Sequence, residues 1–251
     1  MKIHRICVCA TRVKAEPRAQ AETVTEGLFG EAVEVLGHST DWAHVRLLRD
    51  GYKGYILERS LAQSDTPTTH LVTNASTWVF EKPDIKSTTL QRLILGSELA
   101  LVADDGDGSF LQLKGGGYLW RGHVAPVLRV DKRPLSELAL SYYHNTPYLW
   151  GGRSVDGCDC SGLVQQLCQL KGLQVPRDSG EQEPVVGEPV PSPERTAEDL
   201  VFWPGHVGVL KSPDVLVHAT AHYLKVCAEP LNAVIDRAGE PRSVKRLTWR
   251  T

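Results

Sequence analysis

No run of apolar residues in this 251-residue chain approaches the ~18 needed for a membrane-spanning helix. The apolar run nearest the N-terminus, Ile6 to Ala10, ends before Arg12. It is shorter than the roughly 7–15 apolar residues of an export signal. No leader is therefore expected, and the expected location is the cytoplasm. Basic tracts are missing too: 28 Lys and Arg stand against 30 Asp and Glu, for a formal net charge of -2. That balance gives no reason to expect nucleic-acid or membrane binding. The 15 prolines and 22 glycines are scattered, with no low-complexity tract. CxxC pairs are also absent. The six cysteines occur as Cys7-x-Cys9, Cys158-x-Cys160, Cys168 and Cys227, whereas structural zinc usually draws four ligands, often from CxxC pairs. No metal and no cofactor is expected. In a reducing compartment free thiols are expected rather than disulfides. No strong self-association signal is present, so a monomer is expected.

What is present is ordinary globular composition, 41% hydrophobic and 23% charged. The first third reads as short strands. "EAVEVLG" alternates, "DWAHVRLL" follows a turn, and Asp50-Gly51 signals a tight turn before "YKGYILERSLA". Cys7 and Cys9 read as part of a strand packed in a small barrel. A looser copy follows in "SELALVADDGDGSFLQLKGGGYLWRGHVAP", where Phe110 corresponds to Trp42 and Tyr118 to Tyr55. A spacing of roughly sixty residues indicates a duplicated domain, because most solenoid repeats are shorter. The polar stretch Ala62 to Thr69 reads as the joint between the copies.

After "RVDKRP" the pattern changes. Leu135, Leu138, Ala139, Tyr142 and Tyr143 recur at helical spacing. A second helix follows Cys160, with Leu163, Val164, Leu167 and Cys168 as its apolar stripe and Gly172 at its C-terminal cap. Gly180 to Glu194 reads as a loop. The strands "DLVFW", "HVGVL", "VLVHA" and "YLKVC" follow, and "VKRLTW" can close the sheet. Helices followed by an antiparallel sheet make an α+β domain.

Cys160 differs from the other cysteines. It opens a helix, where unpaired N–H groups and the positive end of the dipole favour a thiolate and can hold an oxyanion. A thiolate nucleophile needs a base. His206 and His218 lie on following strands, and they can supply a base and a group to orient it. Cys168 and Cys227 read as core, and Cys158 as packing.

The ordered run Tyr-x-x-Gly-Gly, Asp-Cys-Ser-Gly, Pro-Arg-Asp, Asp-Leu-Val, His-Val-Gly and His-Ala, between Tyr148 and Ala219, resembles the NlpC-type bacterial cell-wall cysteine peptidases. These are papain-like domains, and the resemblance covers roughly Arg129 to Thr251. The first 128 residues look like two bacterial SH3-like domains. The implied architecture is two small all-β SH3-like barrels, 1–63 and 64–128, followed by an α+β papain-like domain, 129–251.

The resemblance implies Cys160 as nucleophile, His206 as general base and acid, and His218 as the residue that orients its ring. The domain order is similar to that of the subgroup that cleaves between D-glutamate and a diamino acid in peptidoglycan stem peptides. That subgroup prefers a free N-terminal L-alanine. It implies that Asp159, Ser161 and Tyr148, with Tyr52 of "GYKGY", hold the ammonium. Ser179, and less directly Asp178, would contact the D-glutamate carboxylate. On residue type alone each has a plainer reading. Asp159 and Ser161 fit helix caps, Tyr52 fits barrel packing, and Tyr148 fits core. Glu198 stands where the family often has glycine.

The function implied is a cytoplasmic peptidase of peptidoglycan recycling whose partner is a murein peptide. The alternatives are an exported wall-remodelling hydrolase that uses its SH3-like domains to bind the wall, an acyltransferase, and a non-enzymatic binding protein on the same fold.

Overall fold

A computed structural model of the chain describes residues 3–102 and 108–248. The acidic part of the second copy's turn, residues 103–107, and Trp249 lie outside the described residues. The chain divides into two compact units, 1–130 and 131–251.

The N-terminal unit is built of strands. Its first half holds β1 (Ile3–Ile6), β2 (Ala10–Lys14), β3 (Thr23–Leu28), β4 (Ala32–Ser39), β5 (Trp42–Leu47), β6 (Lys53–Leu57) and β7 (Leu61–Gln63). Its second half holds β8 (His70–Val72), β9 (Ser76–Phe80), β10 (Thr89–Ile94), β11 (Glu98–Leu99), β12 (Phe110–Gln112), β13 (Tyr118–Trp120) and β14 (Val124–Pro126).

The duplication read from the sequence is a duplication of strand pairing. β2 pairs with β3 and β6, as β9 pairs with β10 and β13. β1 pairs with β4 and β7, as β8 pairs with β11 and β14. β5–β6 has its counterpart in β12–β13, with Trp42 and Phe110 each opening the first strand. One pairing differs: β4–β5 is a full ladder, whereas among the described residues its counterpart is the isolated bridge Leu101–Leu113.

The first half therefore forms one seven-stranded sheet, and the second forms a four-stranded and a three-stranded sheet. The seven-stranded order is open, with β3 and β7 at its edges. Each half has its own apolar cluster, around Ile6, Val13, Val45 and Ile56 in one and Val72, Val79, Leu93 and Leu119 in the other. Cys7 and Cys9 are not strand residues. They sit in the connection between β1 and β2 and are part-exposed.

The C-terminal unit begins with α1 (Leu135–Tyr143), β15 (Arg153–Ser154), β16 (Gly157–Cys158) and α2 (Cys160–Leu170). It continues with α3 (Ser179–Gln182), β17 (Glu188–Val190), β18 (Leu200–Trp203), β19 (His206–Ser212), β20 (Val215–Thr220), β21 (Lys225–Pro230), α4 (Leu231–Ala238) and β22 (Ser243–Arg246). The six-stranded sheet runs β17-β22-β18-β19-β20-β21, so the last strand of the chain enters the interior of the sheet beside β18. The stretch 180–194, expected as a loop, carries most of α3 and all of β17. α4 was not anticipated either. Its signal is Leu231, Val234, Ile235 and Ala238 at i, i+3, i+4 and i+7.

α2 is buried on nearly every side, not on a single stripe. Its polar residues are matched inside the unit: Gln165 donates to the Val175 carbonyl at 3.1 Å, and Gln166 accepts from Arg153 at 2.7 Å. The helix ends as its glycine predicts. Gly172 has φ +72°, its N–H donates to Gln169, and the next N–H, of Leu173, reaches back to Cys168.

Candidate active site

The site is assembled where α2 begins and where β19, β20 and β21 lie side by side. Asp159 caps α2: its Oδ1 accepts the Gly162 N–H at 2.7 Å. Gly162 admits no side chain, because a Cβ there would stand 2.2 Å from the Gly152 carbonyl oxygen. The space left by this glycine is therefore filled by backbone.

Cys160, the first residue of the helix, is 5% exposed. Burial pushes its thiol up to about 11. The Asp159 charge pushes the same way, while the N–H groups of Val207 and Ser161 pull it back. The helix start alone predicts a thiolate. Burial reverses that expectation, and the resting group is a thiol.

The turn between β18 and β19 brings a histidine to this thiol's neighbourhood. Trp203 pairs with His206 across a two-residue Pro204-Gly205 turn, and Gly205 has φ +72°. Proline followed by a residue at positive φ is the type II pattern. The Gly205 carbonyl oxygen lies 3.9 Å from Cys160 Sγ.

His206 Nε2 is 2.7 Å from His218 Nδ1, with the rings edge-on at 5.0 Å. His218 Nε2 is in turn 2.8 Å from Glu229 Oε1. Gly208 leaves room for His218, whose Cβ would stand 3.0 Å from any Cβ at that position. Burial drives His206 down to about 3, and the neighbouring His218 and Arg237 charges add to this. His218 is lowered as well, by burial, against the pull of Glu229. At neutral pH both rings are uncharged, and a neutral ring can accept a proton.

Two residues that carry this arrangement were not singled out from the sequence. Arg177 is 1% exposed and forks onto Asp159, at 2.6 Å to Oδ2 and 3.0 Å to Oδ1. It also donates to Ser161 Oγ at 2.9 Å. Its only signal was the Pro-Arg-Asp run. Glu229 is the second. It is buried, and it accepts from Arg237 at 2.7 Å as well as bonding to His218.

The expected substrate residues are placed as follows. Asp159 takes the cap role, and its oxygens also accept from Gly151 N–H at 2.8 Å and Ser161 Oγ at 3.3 Å. Tyr148 is half-buried, and its hydroxyl is pushed above its ordinary range by burial first and by the nearby Asp159 charge. Ser179 is buried at the start of α3, which Gln182 ties to the Ser161 carbonyl at 3.0 Å. Asp178, just before it, is exposed. Tyr52 belongs to the other unit, at the β5–β6 turn, where it packs on the first apolar cluster. Cys168 and Cys158 are fully buried.

One group of three metal-ligating side chains comes together among the described residues: His218, Cys227 and Glu229, with ligand atoms within 4.8 Å of one another. Arg237 on the same carboxylate opposes a further cation there.

A buried cysteine at a helix start, beside a hydrogen-bonded pair of neutral histidines, can perform nucleophilic acyl transfer. Comparison with known proteins agrees with that chemistry. The NlpC/P60 family model matches residues 145–237, and the bacterial dipeptidyl-peptidase Sh3 domain model matches residues 14–61. Dipeptidyl-peptidase 6 of Lysinibacillus sphaericus is 31% identical over 227 residues, covering 82% of this chain and 83% of its own length. The gamma-D-glutamyl-L-lysine dipeptidyl-peptidase of Bacillus subtilis is 27% identical over 192 residues, covering 71% of this chain and 63% of its own length. The crystal structure of an NlpC/P60 family protein from Bacillus cereus shares the fold, with a TM-score of 0.83 at 20% identity over 98% of this chain and 99% of that one. The chain belongs to the NlpC/P60 family of cell-wall peptidases and carries an N-terminal bacterial SH3 domain.

Proposed function

We propose that this peptidase is a cysteine endopeptidase that hydrolyses the bond between D-glutamate and the diamino acid, meso-diaminopimelate or lysine, in peptidoglycan stem peptides with a free N-terminal L-alanine. We place it in the cytoplasm, acting on peptides recovered from the wall. In this reading residues 1–63 and 64–128 are two SH3-like domains and 129–251 is the peptidase domain.

The observation that carries the proposal is the His206–His218 hydrogen bond next to the turn whose Gly205 oxygen lies 3.9 Å from the Cys160 sulfur. Because His206 Nε2 is engaged by His218, Nδ1 is left to take the thiol proton. The sulfur attacks the γ-carbonyl of D-glutamate. His206 then gives its proton to the leaving amine, and water hydrolyses the acyl-enzyme. The name of the Bacillus subtilis relative supports the bond class.

The amine would be read by Tyr148, Ser161 and Asp159. Among the described residues the Asp159 carboxylate accepts five hydrogen bonds, and the longest, 3.3 Å from Ser161, is the one an ammonium would replace. Ser179 is the better donor to the D-glutamate carboxylate, because Asp178 has the same charge as that group.

The test is a mass-spectrometric cleavage assay on L-Ala-γ-D-Glu-meso-diaminopimelate, with the free and the N-acetylated peptide run in parallel, for wild type and Cys160→Ala. Cleavage of the free peptide alone, lost in the variant, is expected. Equal cleavage of both peptides would remove the amine-reading roles. Comparable rates on intact sacculi would sink the recycling role, and no cleavage of either peptide would favour acyl transfer or binding.

A further inference from the structure

The hydrogen-bonded chain does not stop at the histidine pair. β20 and β21 are paired antiparallel with His218 opposite Cys227 and Leu216 opposite Glu229. Glu229 therefore lies diagonally across from His218, within side-chain reach. Its Oε1 sits 2.8 Å from His218 Nε2. The same oxygen accepts from Arg237 Nη2 at 2.7 Å, and Oε2 accepts from Nη1 at 3.3 Å. Arg237 comes from α4 and is itself fixed by the Ala233 carbonyl at 3.3 Å and by the Tyr223 ring at 5.8 Å. Burial raises the Glu229 carboxyl, but the hydrogen bonds from Arg237 and His218 outweigh this and hold it below its ordinary range. It is a carboxylate at neutral pH.

An ionised carboxylate only accepts hydrogen bonds, so His218 must carry its proton on Nε2. His218 Nδ1 is then a lone pair and can only accept. Among the described residues the donor facing it is His206 Nε2, at 2.7 Å, so that nitrogen holds the proton and His206 Nδ1 is left bare. Glu229 thus sets the direction of every bond up to the base. We propose that Glu229, held by Arg237, is a positioning residue for the peptidase reaction: by fixing the tautomer of His218 it keeps His206 Nδ1 free to accept the Cys160 proton.

The inference rests on the roles given above to Cys160 and His206. The proton balance is simple. One proton moves from Sγ to His206 Nδ1, the Nε2 protons of both rings stay in place, and none passes to Glu229. With Glu229 truncated, His218 can take the other tautomer and present N–H to His206. His206 would then accept at Nε2, carry its proton on Nδ1, and lose the ability to act as base.

The experiment compares wild type, Glu229→Ala, Glu229→Gln and Arg237→Ala in the full-length chain. Two rates are read: steady-state cleavage of L-Ala-γ-D-Glu-meso-diaminopimelate, and alkylation of Cys160 by iodoacetamide at pH 7, located by peptide mapping. Thermal unfolding of each variant serves as the control for folding. Glu229→Ala is expected to lower kcat by about ten- to a hundredfold with KM held within about twofold. Cys160 alkylation should slow in parallel.

Glu229→Gln keeps an oxygen that can accept, so it should fall between Ala and wild type. Arg237→Ala should show a smaller loss of the same kind. If Glu229→Ala does not fold, the Gln variant carries the test, with a loss of at least about threefold in both rates expected. Unchanged kcat and alkylation in a folded Glu229 variant would overturn the proposal, even if its melting temperature fell. Wild type that does not cleave the peptide would refute the substrate reading alone, because the alkylation rates would still decide the role of Glu229.

Discussion

Arg177 and Asp159 form a two-pronged ion pair, 2.6 and 3.0 Å long, at the residue immediately before the nucleophile position. Both side chains are almost fully buried, at 1% and 8% exposed. The pair joins the segment after α2 to the first turn of that helix. It gives the cap residue a charge partner that bulk water does not supply.

Breaking this pair from one side should be costly, because the other charge stays buried. Arg177→Leu is expected to destabilise the C-terminal unit by about 3–5 kcal/mol. Adding Asp159→Asn to Arg177→Leu should cost less than the sum of the two single changes. Urea denaturation of the four proteins of this cycle measures both numbers. A loss below about 1 kcal/mol for Arg177→Leu would show that the pair is not a structural fastener.

Glu198 has φ +75°, in the left-handed region that favours glycine. Its carboxylate accepts from the Leu135 N–H and, at 2.8 Å, from the Ser136 hydroxyl. It thereby caps α1, which has no side-chain cap at its own N-terminus. Glu198→Ala keeps the strained backbone and loses the cap, so a cost of about 1–2 kcal/mol is expected. Glu198→Gly loses the cap but relieves the strain, and should recover about 1 kcal/mol of that cost. The two urea midpoints decide the order.

Acid should destabilise the C-terminal unit through His206. Its folded value is about 3, and an unfolded histidine lies near 6.5. Between those values the unfolded chain binds a proton that the folded site refuses. Stability is therefore full above about pH 6.5 and falls as pH drops toward 3. The thermal midpoint should decrease from pH 7 to pH 5, and His206→Gln should reduce the slope. An identical slope in the variant would assign the effect to other groups.

Gly162→Ala should damage both folding and activity. The new Cβ would meet the Gly152 carbonyl at 2.2 Å, and backbone cannot step aside as a flexible side chain can. A melting temperature lowered by several degrees and a loss of peptide cleavage are expected. A variant with wild-type values in both would mean that this approach of helix to chain is loose.

Much of the site was legible in the sequence because its signals are local. Asp159 before Cys160 reads as a cap, and Gly172 reads as a helix end. Each follows from the conformation of one or two residues. The strands flanking His206 and His218 are likewise written in short apolar runs. The repeat in the first 128 residues was legible as a spacing, and the structure shows it as a repeated set of strand pairs.

The tertiary structure alone decided which side chains meet. Glu198 reaches α1 from more than sixty residues away, and Arg177 returns to Asp159 from the far side of α2. Glu229 meets His218 only because β20 and β21 pair in one register, and a slip of one residue would turn it to the opposite face of the sheet. Burial, too, is a property of the whole unit. It is what raises the Cys160 thiol and lowers His206, against what a helix start and a free imidazole would do alone. The sequence by itself determined the elements and the reactive residue types. Register, packing and exclusion of water decided their partners and their protonation.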